Sequence, residues 1–204
     1  PWSRSLEGAS VISVSTRALR PLAIPLILGV MLGLAVSLHG SARPARAQAL
    51  AADRIAVVLR YFDAQDRGDL DTALAQFADN AVYIGTRPTG NCSYQTPCTD
   101  PAGIRQQIEG SIANHNCTTI RNIQVSGAIV TGERELHNDP LRANGVERIL
   151  QYFIVQIPQD EITFFAVAWD LADPQTALNA AINAGTQPAR APIPAPTTPC
   201  PGLV

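Results

Sequence analysis

Cys92, Cys98, His115 and Cys117 gather four metal-ligating side chains in one stretch of this 204-residue chain, and Cys200 stands apart near its end. Two chemistries suit such a set. Thiolates and an imidazole could hold a zinc ion, or the cysteines could pair as disulfides. The spacings, C-x5-C and H-x-C, are not those of zinc modules. Four cysteines are an even number, and "CSYQTPC" closes a small loop. Cys92–Cys98 is therefore the first expected disulfide; Cys117 could pair with Cys200, a pairing the sequence leaves open. No metal and no cofactor is expected. Both "NCS" and "NCT" spell glycosylation sequons, at Asn91 and Asn116, and are read as chance matches.

Acid–base chemistry has five candidates: Asp63, Asp66, His115, His137 and Asp170. Asp63 and Asp66 fall off the apolar stripe of their helix and are expected in solvent. His115 lies in a polar turn and His137 at a strand end, positions where a histidine is mostly not fully buried. Asp170 follows Trp169 at the end of an apolar segment. All fifteen basic residues are Arg. Without lysine, a Schiff base and a P-loop are both excluded. Arg-only basicity with abundant Ala points to a GC-rich, bacterial coding sequence. The net charge of −2 gives no reason to expect nucleic acid.

The elements that must position these groups fall into three parts. In residues 1–49, Arg17 and Arg20 precede an apolar run over 21–38, then "HGSARPARAQA" with Ala-x-Ala sites at Ala45–Ala47 and Ala47–Ala49. That is the form of a secretory signal, with an uncleaved membrane anchor as the alternative. Export to a secreted, periplasmic or cell-surface location follows, and suits disulfides. Residues 186–204 are too rich in proline for a helix or a central strand and are read as a disordered tail. Residues 50–185 form the folded domain. There, Ile55, Val58, Leu59 and Phe62 recur at helical spacing from about Ala51 until Gly68. Asp69 caps a second helix carrying Leu70, Ala73, Leu74 and Phe77. "AVYI" is a short strand. Asp100–Pro101 opens a third helix with Ile104, Ile108 and Ile112 on one side. After Asn116 the period becomes two: "TTIRNIQV", "AIVTGERELHN", "VERILQYFIVQI" and "EITFFAVAW" read as strands joined by turn formers, an antiparallel meander. Asp173–Pro174 opens a last helix ended by Gly185. Helices, then strands, then a helix make an α+β domain.

The stretch "VVLRYFDAQDRGDLDTALAQFADNAVYI" resembles the opening of the SnoaL-like and ketosteroid isomerase-like domains of the nuclear transport factor 2-like (NTF2-like) superfamily. "DPAGIRQQIEGS" is similar to their third helix and "DEITFFAVAWD" to their last strand. The resemblance implies a cone-shaped roll: a curved, mostly antiparallel sheet wrapped on three N-terminal helices, with a short C-terminal helix, a pocket at the open end and often a homodimer. It places Tyr61 at the donor position of the isomerases, Gly85 where their general base stands and Gln151 at their second donor. Glycine cannot accept a proton, and neither tyrosine nor glutamine is a base near neutral pH. Steroid isomerisation is therefore excluded. The related limonene epoxide hydrolases use an Asp-Arg-Asp arrangement that this sequence assembles only with a forced register.

The resemblance also sets the inward residues as Tyr61, Tyr83, Gln151, Phe153, Phe165 and Trp169. With Gly85, these are the expected pocket. A small, mainly apolar ligand is the expected partner, without assignable catalysis. Two alternatives stay open: an isomerase, cyclase or hydratase-like enzyme using Tyr61 with a relocated base, and a protein-interaction module whose aromatics fill the cone as core. The opposite face, with Leu150, Tyr152, Ile154 and Phe164, is apolar too. It implies a homodimer through the outer sheet face, or a C-terminal helix folded over it.

Overall fold

A computed structural model of the chain describes residues 42–87, 89–196 and 200, with side chains from residue 46 onward. Of the 1–49 segment read as a signal or anchor, residues 1–41 lie outside the described residues, while residues 42–49, with both Ala-x-Ala sites, are helical. Among those described, no helix is long and apolar enough to cross a membrane.

Helix α1, Ala42–Asp66, begins well before Ala51. Ala, Arg and Gln are good helix formers and extend it backward, and Pro44 falls in its first turn, where a missing N–H costs nothing. It buries Val57, Val58, Tyr61, Phe62 and Gln65. Asp69 caps α2, Leu70–Leu74, by accepting from the Thr72 N–H at 3.1 Å. Strand β1, Phe77–Ile84, starts earlier than "AVYI" and is irregular between Phe77 and Val82. Asp100 caps α3, Pro101–Ala113, through the Gly103 N–H at 2.8 Å.

Strands β2 (Cys117–Ser126), β3 (Ile129–His137), β4 (Ile149–Gln156) and β5 (Ile162–Trp169) follow. The sheet order is β1-β5-β4-β3-β2, with β1 parallel to β5 and every other pair antiparallel. The "NDPLRANG" connector, read as a turn, holds a short helix α4, Asp139–Ala143. Asn138 caps it by accepting from the Leu141 N–H at 2.9 Å, and Pro140 sits in its first turn. Those residues begin helices as readily as turns. The last helix is α5, Pro174–Asn183.

The narrow end of the cone is solid. Tyr61, Phe62, Phe77, Tyr83, Phe153 and Phe165 pack together, with neighbouring ring centroids 4.8–6.3 Å apart. Gly132, paired with Phe153 across β3 and β4, leaves the room that this ring occupies: a Cβ there would run into it. The wide end has its own cluster, where Leu141 of α4 and Leu178 of α5 cover Leu136 and Ile149. Helix α5 thus packs on the inner face, and the alternative in which it covers the outer face is set aside. The 186–204 segment, read as a disordered tail, is instead docked where it is described. The Arg190 N–H donates to the Asn144 carbonyl at 3.0 Å, and the Ile193 N–H to that of Arg142 at 2.9 Å. Cys200 is bonded to Cys117. Proline rules out regular structure, but it does not prevent an extended chain from lying against a helix.

Candidate ligand pocket

The expected pocket residues divide. Tyr61, Phe153 and Phe165 belong to the aromatic core and are not among the described residues lining the cavity at the wide end, a correction with a steric cause: near the apex, α1 lies too close to the sheet to leave space. Phe153 instead borders a groove of about 420 Å³ on the outer face, beside Tyr152 and Ile154. The Tyr61 hydroxyl accepts from Gln65 Nε2 at 3.2 Å, inside that core. Burial, with Tyr83 nearby, pushes its pKa well above the ordinary value, and burial likewise raises that of Tyr83. Neither phenol can serve as a base.

Tyr83, Gly85, Gln151 and Trp169 do line a cavity, of about 300 Å³, at the wide end. Its floor is the inner face of β3, β4 and β5. Its walls are α3, with Gln107 and Ser111, α4 with Asn144, and α5 with Asn179 and Asn183. The loop after β1 closes one side. The expected Cys92–Cys98 disulfide is formed, the open pairing is settled as Cys117–Cys200, and the two bonds replace the metal alternative. The first folds that loop back on β1: Tyr83 and Cys98 exchange backbone hydrogen bonds, and the Gly85 N–H donates to the Cys92 carbonyl at 2.5 Å. A Cβ on residue 85 would stand 2.9 Å from that carbonyl oxygen. The position that the resemblance aligns with the isomerase base is therefore hemmed in by backbone, and an aspartate cannot be placed there without moving the loop.

Sequence reading missed the residue that dominates the cavity. Arg134 is 6% exposed and lines it. Its Nε donates to Gln151 Oε1, and its guanidinium lies over the Phe62 ring, 5.3 Å from the centroid. Among the described residues no carboxylate comes within 4.0 Å of it. The signal was present: in β3, alternation puts Val130, Gly132, Arg134 and Leu136 on the buried face. A charge at that parity marks a site, because an arginine is almost never buried unless paired.

The candidate bases are elsewhere. Asp63 pairs with Arg67 on the surface of α1. Asp170 lies at the outer face, 3.3 Å from the Tyr152 hydroxyl. Asp66, His115 and His137 border a second cavity, of about 980 Å³, between α1, β2 and the tail. There His115 is tied to Asp139 at 2.6 Å, and that bond, before Arg142, holds the Asp139 carboxyl below its usual range. His137 lies 3.0 Å from Glu135. Asp66 accepts from the Thr118 N–H at 2.8 Å and hydroxyl at 3.1 Å, yet burial raises its pKa to about 6. No Asp, Glu or His is among the described residues that line the Arg134 cavity. An Asp-Arg-Asp arrangement is absent there too, since the partner of Arg134 is an amide.

No family model and no curated protein matches the chain by sequence. Solved structures do match it. IdmH from Streptomyces antibioticus, proposed as a polyketide cyclase, superposes with a TM-score of 0.50 at 17% identity, over 62% of this chain and 98% of that chain. An LEH-like epoxide hydrolase of M. tuberculosis gives 0.46 at 17%, over 67% and 98%. An NTF2-like protein from Cytophaga hutchinsonii gives 0.45 at 14%, over 58% and 91%. At these identities the likeness is one of fold. What the chain shares with IdmH is the fold, an α+β domain with helices packed on a mostly antiparallel five-stranded sheet.

Proposed function

We propose that this is an exported binding protein that holds a small molecule at the wide end of its cone and does no acid–base chemistry on it. One observation carries this reading: a cavity of about 300 Å³ with a buried guanidinium in its wall and no Asp, Glu or His among its described lining residues. That volume is at the lower end for small-molecule sites. General acid–base catalysis needs a proton acceptor within about 2.6–3.2 Å of the reacting group. The wall is richer in amides than the apolar alternation leads one to expect, so the ligand has a polar end as well as an apolar part. Two disulfides accord with an oxidising compartment. Native mass spectrometry of protein purified from its own host, under conditions that preserve complexes, is expected to show a retained mass of ligand size. Protein that is ligand-free from every growth phase and takes up nothing from a host metabolite extract would sink the reading.

The outer sheet face supports a homodimer as the assembled form. Tyr152 is 48% and Ile154 41% exposed, on neighbouring positions of one face that no helix among the described residues covers. A large apolar patch on a soluble protein marks an interface. Sedimentation velocity is expected to give a dimer that Ile154→Arg converts to monomer with the ligand cavity intact. A monomeric parent protein at micromolar concentration refutes it.

A further inference from the structure

We propose that Arg134, Gln151 and Trp169 form a carboxylate-binding row, so that the ligand of the wide-end cavity is a small organic acid. This rests on the reading that the cavity holds a ligand, and it names that ligand's class.

The three residues stand side by side on three adjacent strands. Arg134 of β3 is the register partner of Gln151 of β4, and Gln151 is the partner of Trp169 of β5. All three line the same cavity. With strands about 4.8 Å apart, the row spans roughly 10 Å of rigid sheet. Each member contributes a donor. The Arg134 Nε is used on Gln151, while its Nη groups have no hydrogen-bond partner among the described residues. That same bond takes the Gln151 oxygen and leaves its NH2, a donor only, without a partner among the described residues. The Trp169 indole N–H is buried and likewise has no partner among the described residues. Phe62 beneath the guanidinium fixes its plane.

A row of donors with no acceptor free is matched by a group that only accepts. An ionised carboxylate is that group, and its two oxygens fit the planar guanidinium fork. A buried cation with no carboxylate in direct contact is costly; Asp66 acts on Arg134 only through space, without a salt bridge, and an anionic ligand supplies the contact. A neutral amide or alcohol leaves the charge uncompensated. Leu136, Ile149 and Val167 flank the row, so the remainder of the acid meets apolar wall near its carboxylate and amides further out.

The test is an NMR titration of nitrogen-15-labelled protein with benzoate and hexanoate, each beside its amide, observing the Trp169 indole N–H assigned with Trp169→Phe. The acids are expected to shift that resonance saturably and to bind about tenfold or more tighter than the amides, the margin of a charge-assisted pair. Gln151→Glu places a carboxylate inside the row, where it pairs with Arg134. It is expected to keep the parent melting temperature and to lose acid binding about tenfold or more. Arg134→Gln should lose the acid-over-amide preference. Amides that bind as well as acids overturn the carboxylate assignment and leave the cavity a ligand site. Undiminished benzoate binding by Gln151→Glu overturns it as well. If neither probe binds the parent, the acid class falls, and native mass spectrometry then decides separately whether any ligand is held.

Discussion

Replacing Cys117 and Cys200 together by serine is expected to lower the free energy of unfolding by about 4.5 kcal/mol. This bond joins residues 83 apart in sequence and pins the tail to the start of β2. Cross-linking removes conformations from the unfolded chain, and the effect grows with the logarithm of the loop closed, from roughly 3 kcal/mol for 15 residues to 4.7 for 100. The Cys92–Cys98 bond spans a separation of 6 and by the same relation is worth only about 2 kcal/mol. The double variant is the proper comparison, because a lone Cys117 thiol could exchange with the remaining disulfide. The tail would not detach throughout, since its backbone bonds at Arg190 and Ile193 are independent of the sulfurs. Urea unfolding at pH 7 measures the difference. A loss under about 1 kcal/mol would show that the cross-link contributes little to the entropy of the unfolded chain.

Asp66→Asn is expected to change how stability depends on pH. Burial raises the pKa of Asp66 from the ordinary 3.8 to about 6, against the opposing bonds from Thr118. Between those two values the folded protein binds more protons than the unfolded chain. Stability from this group is therefore full below about pH 4, falls as pH rises to 6, and is flat and lowest above. The ceiling of that loss is ~3 kcal/mol, and with the carboxyl only part-buried about 1–2 is expected. Asparagine does not titrate, and it can keep both contacts: its oxygen accepts the Thr118 N–H and its amide donates to the Thr118 hydroxyl. Relative to the parent, the variant should gain about 1–2 kcal/mol between pH 4 and pH 7. Parallel stability curves for the two proteins across that range would refute it. The two effects are linked in space, since the Cys200 sulfur lies 3.8 Å from Asp66 Oδ2. Freeing the tail would rehydrate Asp66 and flatten its pH dependence.

Local chemistry made most of the fold legible. Asp69, Asp100 and Asp173 each cap the helix they precede, because a short acceptor before an amphipathic run satisfies the first free N–H groups wherever it occurs. Alternation placed β2 to β5 for the same reason: one face is buried and the other wet. The close cysteines could be paired from the loop they close. What pattern misses is length where propensity runs on, as in α1, and helix against turn where both begin with Asn, Asp and Pro, as in α4.

The cavity was less legible, and Gly85 shows why. By itself the sequence determined that position 85 offers no proton acceptor, since glycine has no side chain. Only the tertiary structure decided what stands in its place: the Cys92 carbonyl, carried over by the disulfide loop. In the same way, alternation sorted Tyr61, Phe153, Phe165, Gln151 and Trp169 to one side, but how many of them touch empty space depends on how far α1 stands from the sheet at each level. Near the apex the gap is filled by rings. At the wide end it is not, and there Arg134, Gln151 and Trp169 come to one level through cross-strand register, a relation between residues distant in sequence that no local pattern encodes.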